Sequence, residues 1–280
     1  MIISNDDFFK LLEKHIKTGD DFYLSLLENI IDNPLRYCGL FRLSNAKSKV
    51  VQNVTQSREI KFGDIFEELT SICIERLGYT NLIKKLKVND TDEVLNLDQF
   101  FKDDDDNYYL VEMKIRDDHD STKKRGQYQN FHKKVELVRN TFPKVHIDAS
   151  MWFVDDSLVK NKKYYLCEMQ NENFENTLLH LYYGSEFFAS LKAGNNAWNE
   201  IISILTNYRS EHKNKNDVDM PDFGTSQQIL EALCNLSSNY WKKLMSDNEE
   251  YRLLRDELFS SGDNLQKAKA MREKNENEKV

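Results

Sequence analysis

Three side chains carry the chemistry that this sequence offers most clearly: Asp98, Glu112 and Lys114. Residues 108–115 read Tyr-Tyr-Leu-Val-Glu-Met-Lys-Ile, an apolar run with the character of a strand. Side chains alternate between the two faces of a strand, so Glu112 and Lys114 share a face with Leu110. Val111, Met113 and Ile115 share the other face and read as core. A carboxylate and an ammonium two residues apart on one face sit roughly 7 Å apart, which suits a metal ligand beside a cationic group. The stretch at 102–107, Lys-Asp-Asp-Asp-Asp-Asn, is a polar turn joining this strand to one at 94–101, so the two form a hairpin. With the turn centred near Asp104 and Asp105, Asp98 falls opposite Glu112. Cross-strand Cβ atoms lie about 4.5–5.5 Å apart, and two carboxylates that close repel unless a cation stands between them. A hard divalent cation with oxygen ligands fits that gap. A slip of one residue would turn Asp98 to the wrong face. The competing reading is a salt-bridged surface hairpin. Glu-x-Lys also occurs at Glu59 and Glu211, but only Glu112 lies in an apolar strand with an aspartate facing it.

The elements that must position these groups follow from hydrophobic spacing. Residues 5–33 predict two helices broken at Thr18-Gly19-Asp20, ended by Pro34, and residues 35–58 read as irregular and polar. A helix is expected over 62–77, with the stripe Phe62, Ile65, Phe66, Leu69, Ile72 and Cys73. Strands are expected at 82–88, 94–101 and 108–115. A helix over 121–141 presents Tyr128, Phe131, Val135 and Val138 on one face. Further strands are expected at 147–154, 164–169 and 178–183, then a short helix at 185–191. The rest reads as helical, with stripes over 198–208, 229–244 and 251–259 and a charged, frayed tail after Gly262. This order predicts a mixed α/β (α+β) layered fold, a central mixed sheet flanked by helices, with helical N-terminal and C-terminal extensions. The segments are 1–58, 59–193, 194–262 and the tail 263–280.

Composition narrows the function. The chain has 280 residues, 40% hydrophobic and 31% charged, which permits a proper core. Its net charge of −8 argues against a protein that coats nucleic acid, but leaves room for an enzyme with a local basic surface. Basic clusters such as Lys123-Lys124-Arg125 and Lys133-Lys134 read individually as solvated faces. The four cysteines are far apart, form no zinc pattern and are expected to be reduced, most of them in the core. Nothing in the sequence spans a membrane, the first residues do not read as a signal peptide, and the expected location is the cytoplasm. No Walker motif appears, so no nucleotide cofactor is expected.

A helix, an aspartate on the second strand, Glu-x-Lys on the third, then a helix and a strand: this order resembles the core of the PD-(D/E)XK nucleases, and type II restriction endonucleases in particular. The resemblance covers roughly residues 62–154, within a nuclease core at 59–193. Leu97-Asp98 stands where the family often has Pro-Asp, and Glu112 is the allowed alternative to aspartate. The resemblance implies Mg²⁺ held by Asp98 and Glu112 with the main-chain carbonyl of Met113. It implies that Lys114 orients the attacking water and stabilises charge on the phosphate, leaving a 5′-phosphate and a 3′-hydroxyl. It suggests Glu67, with Glu68 as rival, as an accessory carboxylate on the first core helix, although a helix-start residue favoured by the dipole explains Glu67 equally well. The substrate would be double-stranded DNA at a short specific sequence, cut by a homodimer, with the helical segment at 194–262 supplying dimer or DNA contacts. Lys123, Lys124, Arg125 and Gln127 stand at a helix N-terminus just after the catalytic strand, a place suited to phosphate, and are candidate DNA contacts. Another nuclease of the same superfamily, for repair or a mobile element, and a non-catalytic DNA-binding protein are the alternatives.

Overall fold

The structure, a computed structural model, describes residues 1–16, 20–88, 92–115, 121–157, 159–211 and 220–277. The elements in chain order are α1 (Asn5–His15), α2 (Asp20–Asp32), α3 (Leu35–Cys38), α4 (Ala46–Arg76), β1 (Thr80–Asn81), β2 (Lys85–Lys87), β3 (Val94–Asn96), β4 (Gln99–Lys102) and β5 (Tyr108–Lys114). They continue with α5 (Ser121–Thr141), β6 (Ile147–Phe153), α6 (Lys162–Gln170), β7 (Thr177–Tyr183), α7 (Glu186–Ser190), α8 (Gly194–Glu211), α9 (Gln227–Asn235), α10 (Ser238–Leu244), α11 (Glu249–Leu258) and α12 (Asn264–Asn277). The chain divides into two units, Met1–Leu12 with Phe62–Glu211, and Glu13–Lys61 with His212–Val280.

The first unit holds a mixed five-stranded sheet in the order β1-β4-β5-β6-β7. β4 is antiparallel to β1 and β5, while β5, β6 and β7 run parallel. The fold class is therefore the expected one, a central mixed sheet flanked by helices. The hairpin register is the expected one too: Gln99 pairs with Val111 and Phe100 with Leu110. Its turn is built by Asp103, whose carboxylate accepts from the amides of Asp105 and Asn107 and from the Tyr109 hydroxyl. Asp106 adopts φ 59° there, a left-handed conformation that Asp tolerates better than most residues.

Each sheet face has its own cover. Leu110, Ala149, Met151 and Phe153 meet Tyr128, Phe131, Val135 and Val138 of α5 in one core. On the other face Trp152, fully buried, packs its ring 4.5 Å from that of Phe187 and 5.9 Å from that of Phe66 in α4. Its indole N–H donates to the Gly184 carbonyl at 2.9 Å, so the ring's one polar atom is satisfied.

The second unit is helical. Leu27, Ile30 and Ile31 of α2 and Val50 and Val54 of α4 share a core with Ile229, Leu233, Leu254 and Leu258.

Several expectations need correction. Residues 164–169 form helix α6, not a strand: the two buried positions, Tyr165 and Met169, lie four apart, a helical spacing. The strand expected over 94–101 breaks before Asp98, and β3 pairs with β2 in a separate two-stranded sheet. The 82–88 segment correspondingly contributes β2 to that small sheet, and the main sheet takes only Thr80–Asn81. The segment expected to be irregular at 35–58 contains α3 and the first half of α4, where Ala46, Val50 and Val54 are buried at steps of four. The 229–244 stripe is two helices, the second capped by the Ser237 hydroxyl. Residues 264–277, expected in a frayed tail, form helix α12. Leu265 and Ala268 are buried, Asn264 donates to the Phe223 and Ser226 carbonyls, and Arg272 donates to the carbonyls ending α9. Gly262 lies so close to Gly224 that a Cβ would fall 2.3 Å from the Gly224 oxygen, and only glycine allows that approach. Of the cysteines, Cys38 and Cys73 are buried, Cys234 is half-buried and Cys167 is exposed; all are free.

Replacing Trp152 with alanine empties the centre of the second sheet face. We expect Trp152→Ala to cost about 3–5 kcal/mol in urea denaturation, and a loss under about 1 kcal/mol would contradict the packing described.

Candidate active site

β5 delivers Glu112 to the α5 face of the sheet, where its side chain is buried, and Lys114 to the same face two residues on, 30% exposed. Asp98 lies just before β4, one step beyond the Gln99–Val111 pair, which sets it opposite Glu112. One Asp98 oxygen, Oδ2, accepts the Met113 N–H at 2.7 Å. That amide has no neighbouring strand to bond, because the Leu97 backbone turns away and donates to the Lys84 carbonyl. The aspartate thus completes the ladder at the point where the strand leaves it.

Two ammonium groups neutralise the two acids. Lys114 Nζ lies 2.7 Å from Glu112 Oε1. Lys134, from the middle of α5, bonds Glu112 Oε2 and reaches Asp98 Oδ1 at 3.3 Å, with only 7% of its side chain exposed. Asn130, one turn earlier, donates to Glu112 Oε1 at 3.2 Å. Burial alone would raise the carboxyl pKa of Glu112, but Lys114 and Lys134 outweigh it and hold it below the ordinary value. Burial and then the charge of Glu112 push Asp98 upward, against the pull of Lys134 and Lys114. Lys134 is raised: burial disfavours its charge, and the Glu112 and Asp98 carboxylates more than compensate.

Asp98, Glu112 and Lys114 are therefore brought together, and Met113 lies between the last two. Glu67 is not joined to them by a hydrogen bond. Its carboxylate pairs with Lys84 at 2.9 Å, and its carbonyl accepts from Gln99, which is wholly buried. Its pKa is raised by burial, with Lys84 opposing and the nearby Asp98 charge adding to the rise. Lys123, Lys124, Arg125 and Gln127 lie on the first turns of α5. Lys123 and Arg125 are exposed, and the Lys124 ammonium sits 4.7 Å over the Tyr164 ring. Gln127 accepts from the Tyr165 hydroxyl at 2.5 Å, so its amide is engaged with α6. Residues 116–120 lie outside the described residues. The sequence does not single out Asn130, and Lys134, expected on a solvated basic face, is instead buried against the two acids. The signal for Lys134 was its place between Phe131 and Val138, three and four residues away, inside an apolar stripe where a charge needs a partner.

The donor chemistry suits a hard divalent cation: two carboxylates converge, and an ammonium already stands between them as a cation. Among the described residues no group of three or more Asp, Glu, His or Cys could hold a metal. Mg²⁺ needs no such cage, since it is often held by one or two carboxylates with water and a substrate phosphate.

The chain matches the type II restriction endonuclease family HinfI over residues 4–91 and 74–209, well over half its length. It belongs to that family. The match spans every residue of the site and bears out the resemblance to the PD-(D/E)XK nucleases. No curated protein matches the chain. No helix among the described residues is long and apolar enough to cross a membrane.

The raised carboxyl of Asp98 gives a prediction with a definite sign. Its ionised form is penalised in the folded state above its folded pKa, and the penalty fades as pH falls through that value toward the ordinary carboxylate range. Asp98→Asn keeps an acceptor for the Met113 amide and relieves the repulsion with Glu112. We expect it to melt a few degrees higher than the parent at about pH 8, with the gain lost near about pH 4. A lower melting temperature at the higher pH would contradict the electrostatics described.

Proposed function

We propose that this chain is a Mg²⁺-dependent type II endonuclease that hydrolyses phosphodiester bonds of double-stranded DNA at a short specific sequence, acting in the cytoplasm as a homodimer. The observation that carries this reading is the convergence of Asp98, Glu112 and Lys114 on one sheet face, in a chain of a restriction endonuclease family. Two-fold symmetry would match a palindromic site.

Asp98, Glu112 and the Met113 carbonyl would hold the metal, which when bound supplies Lewis-acid polarisation of the scissile phosphate and acidifies water. Lys114 is the cation able to reach substrate, since it is partly exposed and, among the described residues, joined to the site only through Glu112. Its ammonium would orient the attacking water and offset charge growing on the phosphate. Glu112, fixed by Lys114 and Asn130 on one oxygen, keeps that ammonium at the sheet face. Glu67, beside Asp98 but paired with Lys84, remains the proposed accessory carboxylate. The basic first turn of α5, Lys123 to Arg125 with Gln127, would bind the DNA backbone.

Digestion of a sequenced phage DNA with Mg²⁺ should give discrete bands with mapped, recurrent ends. Glu112→Gln and Lys114→Ala should lower cleavage by roughly 10²–10³-fold or more while duplex binding survives. Intact DNA across a range of salt would exclude the endonuclease reading, and random nicking would favour a nuclease without sequence preference.

A further inference from the structure

Lys134 plays no part in the chemistry assigned above, yet it is the most buried charged group that touches both acids. Each carboxylate has one oxygen fixed by other groups. Oδ2 of Asp98 holds the Met113 amide, and Oε1 of Glu112 holds Lys114 and Asn130. The remaining oxygens, Oδ1 of Asp98 and Oε2 of Glu112, both face Lys134. Moving one ammonium would therefore free one oxygen from each acid, while the other hydrogen bonds keep the pair in place.

Charge counting gives the same direction. Two carboxylates and the two lysines, 114 and 134, sum to zero. A divalent cation added to that balanced cluster would leave two surplus positive charges in a largely buried place, which is costly. The surplus falls if Lys134 leaves and if a phosphodiester enters.

We propose that Lys134 is an internal stand-in for the metal: its ammonium occupies the cation seat between Asp98 and Glu112, and a divalent metal enters only by displacing it. This rests on the reading that these two carboxylates hold the metal. Metal and DNA then bind cooperatively, because the phosphate that accompanies the metal also compensates the charge Lys134 brings to wherever it moves. In this role Lys134 is a positioning residue, governing when the site accepts its cation.

Calorimetric titration of Ca²⁺ into the full-length, DNA-free protein tests this. The parent and the charge-keeping Lys134→Arg should bind weakly, and Lys134→Met should bind about tenfold or more tighter. Equal or weaker binding by folded Lys134→Met overturns the proposal. Because that variant leaves the two acids with Lys114 as their one remaining ammonium among the described residues, the parent supplies a second readout. With side-chain ¹⁵N-labelled lysine, the protected ammonium signal that is missing in Lys134→Arg should be lost when Ca²⁺ and a duplex saturate the protein. Its persistence at saturation overturns the displacement while leaving the metal reading intact. Failure of the parent to take up Ca²⁺ even with duplex present removes the metal reading, and this inference with it.

Discussion

Two carboxylates set side by side, Glu112 buried and Asp98 largely so, are the constraint around which the first unit is organised. The hairpin forces Asp98 and Glu112 together, and neither could stay ionised there without cations. Lys134 supplies one cation, which fixes more than charge. It ties the middle of α5 to the ends of β4 and β5, so the rotation of α5 that buries Phe131 and Val135 is also the rotation that aims Lys134 at the acids. Packing and electrostatics here select the same arrangement, which is what makes a partly buried polar cluster tolerable in a stable fold.

The hairpin register shows how backbone bookkeeping supports the same point. Pairing ends at Gln99 because β3 departs to form its own ribbon with β2. An unpaired amide at Met113 would be expensive so near the core. Asp98 accepts it, and so a carboxylate of the candidate site also closes the sheet. Gln99 does comparable service on the other face, where its amide group joins the Glu67 carbonyl, the Ser71 hydroxyl and the Met113 sulfur.

What was legible in the sequence was whatever depends on alternation and short-range turn chemistry. Glu112 and Lys114 fall on one face by strand period alone, and the Asp103 turn fixes the register that carries Asp98. Lys134 was hidden because Lys133-Lys134 looks like one more basic surface pair. Its neighbour Lys133 does face outward, to Glu93, and only the helical phase separates the two. The misread helices share a different cause. The first half of α4 is rich in Lys, Ser, Gln and Asn, and its buried positions are sparse. In α12 the buried apolar side chains are a leucine and an alanine, and the helix start is held through Asn264 by residues some forty positions earlier, the Phe223 and Gly224 carbonyls. Tertiary partners of that kind leave no local pattern. In α6 the run Tyr164-Tyr165-Leu166-Cys167 favours a strand by propensity, and burial at Tyr165 and Met169 overrules it.

The two lysines at the acids differ in a way that separates their tasks. Lys114 extends from the last residue of a strand, is partly exposed and touches one oxygen of one acid. An exposed ammonium on a four-carbon stem can exchange that contact for a phosphate at small cost, because solvent screens both states. Lys134 rises from a packed helix, is nearly sealed from solvent and bridges both acids, so it cannot leave unless another cation takes its seat. A group that meets substrate should be the first kind, and a group that holds the site together in the absence of metal should be the second. With both in place the cluster is neutral on its own. A chain of net charge −8 can thus hold two acids together at the proposed site without presenting a polyanion there with a locally repulsive field.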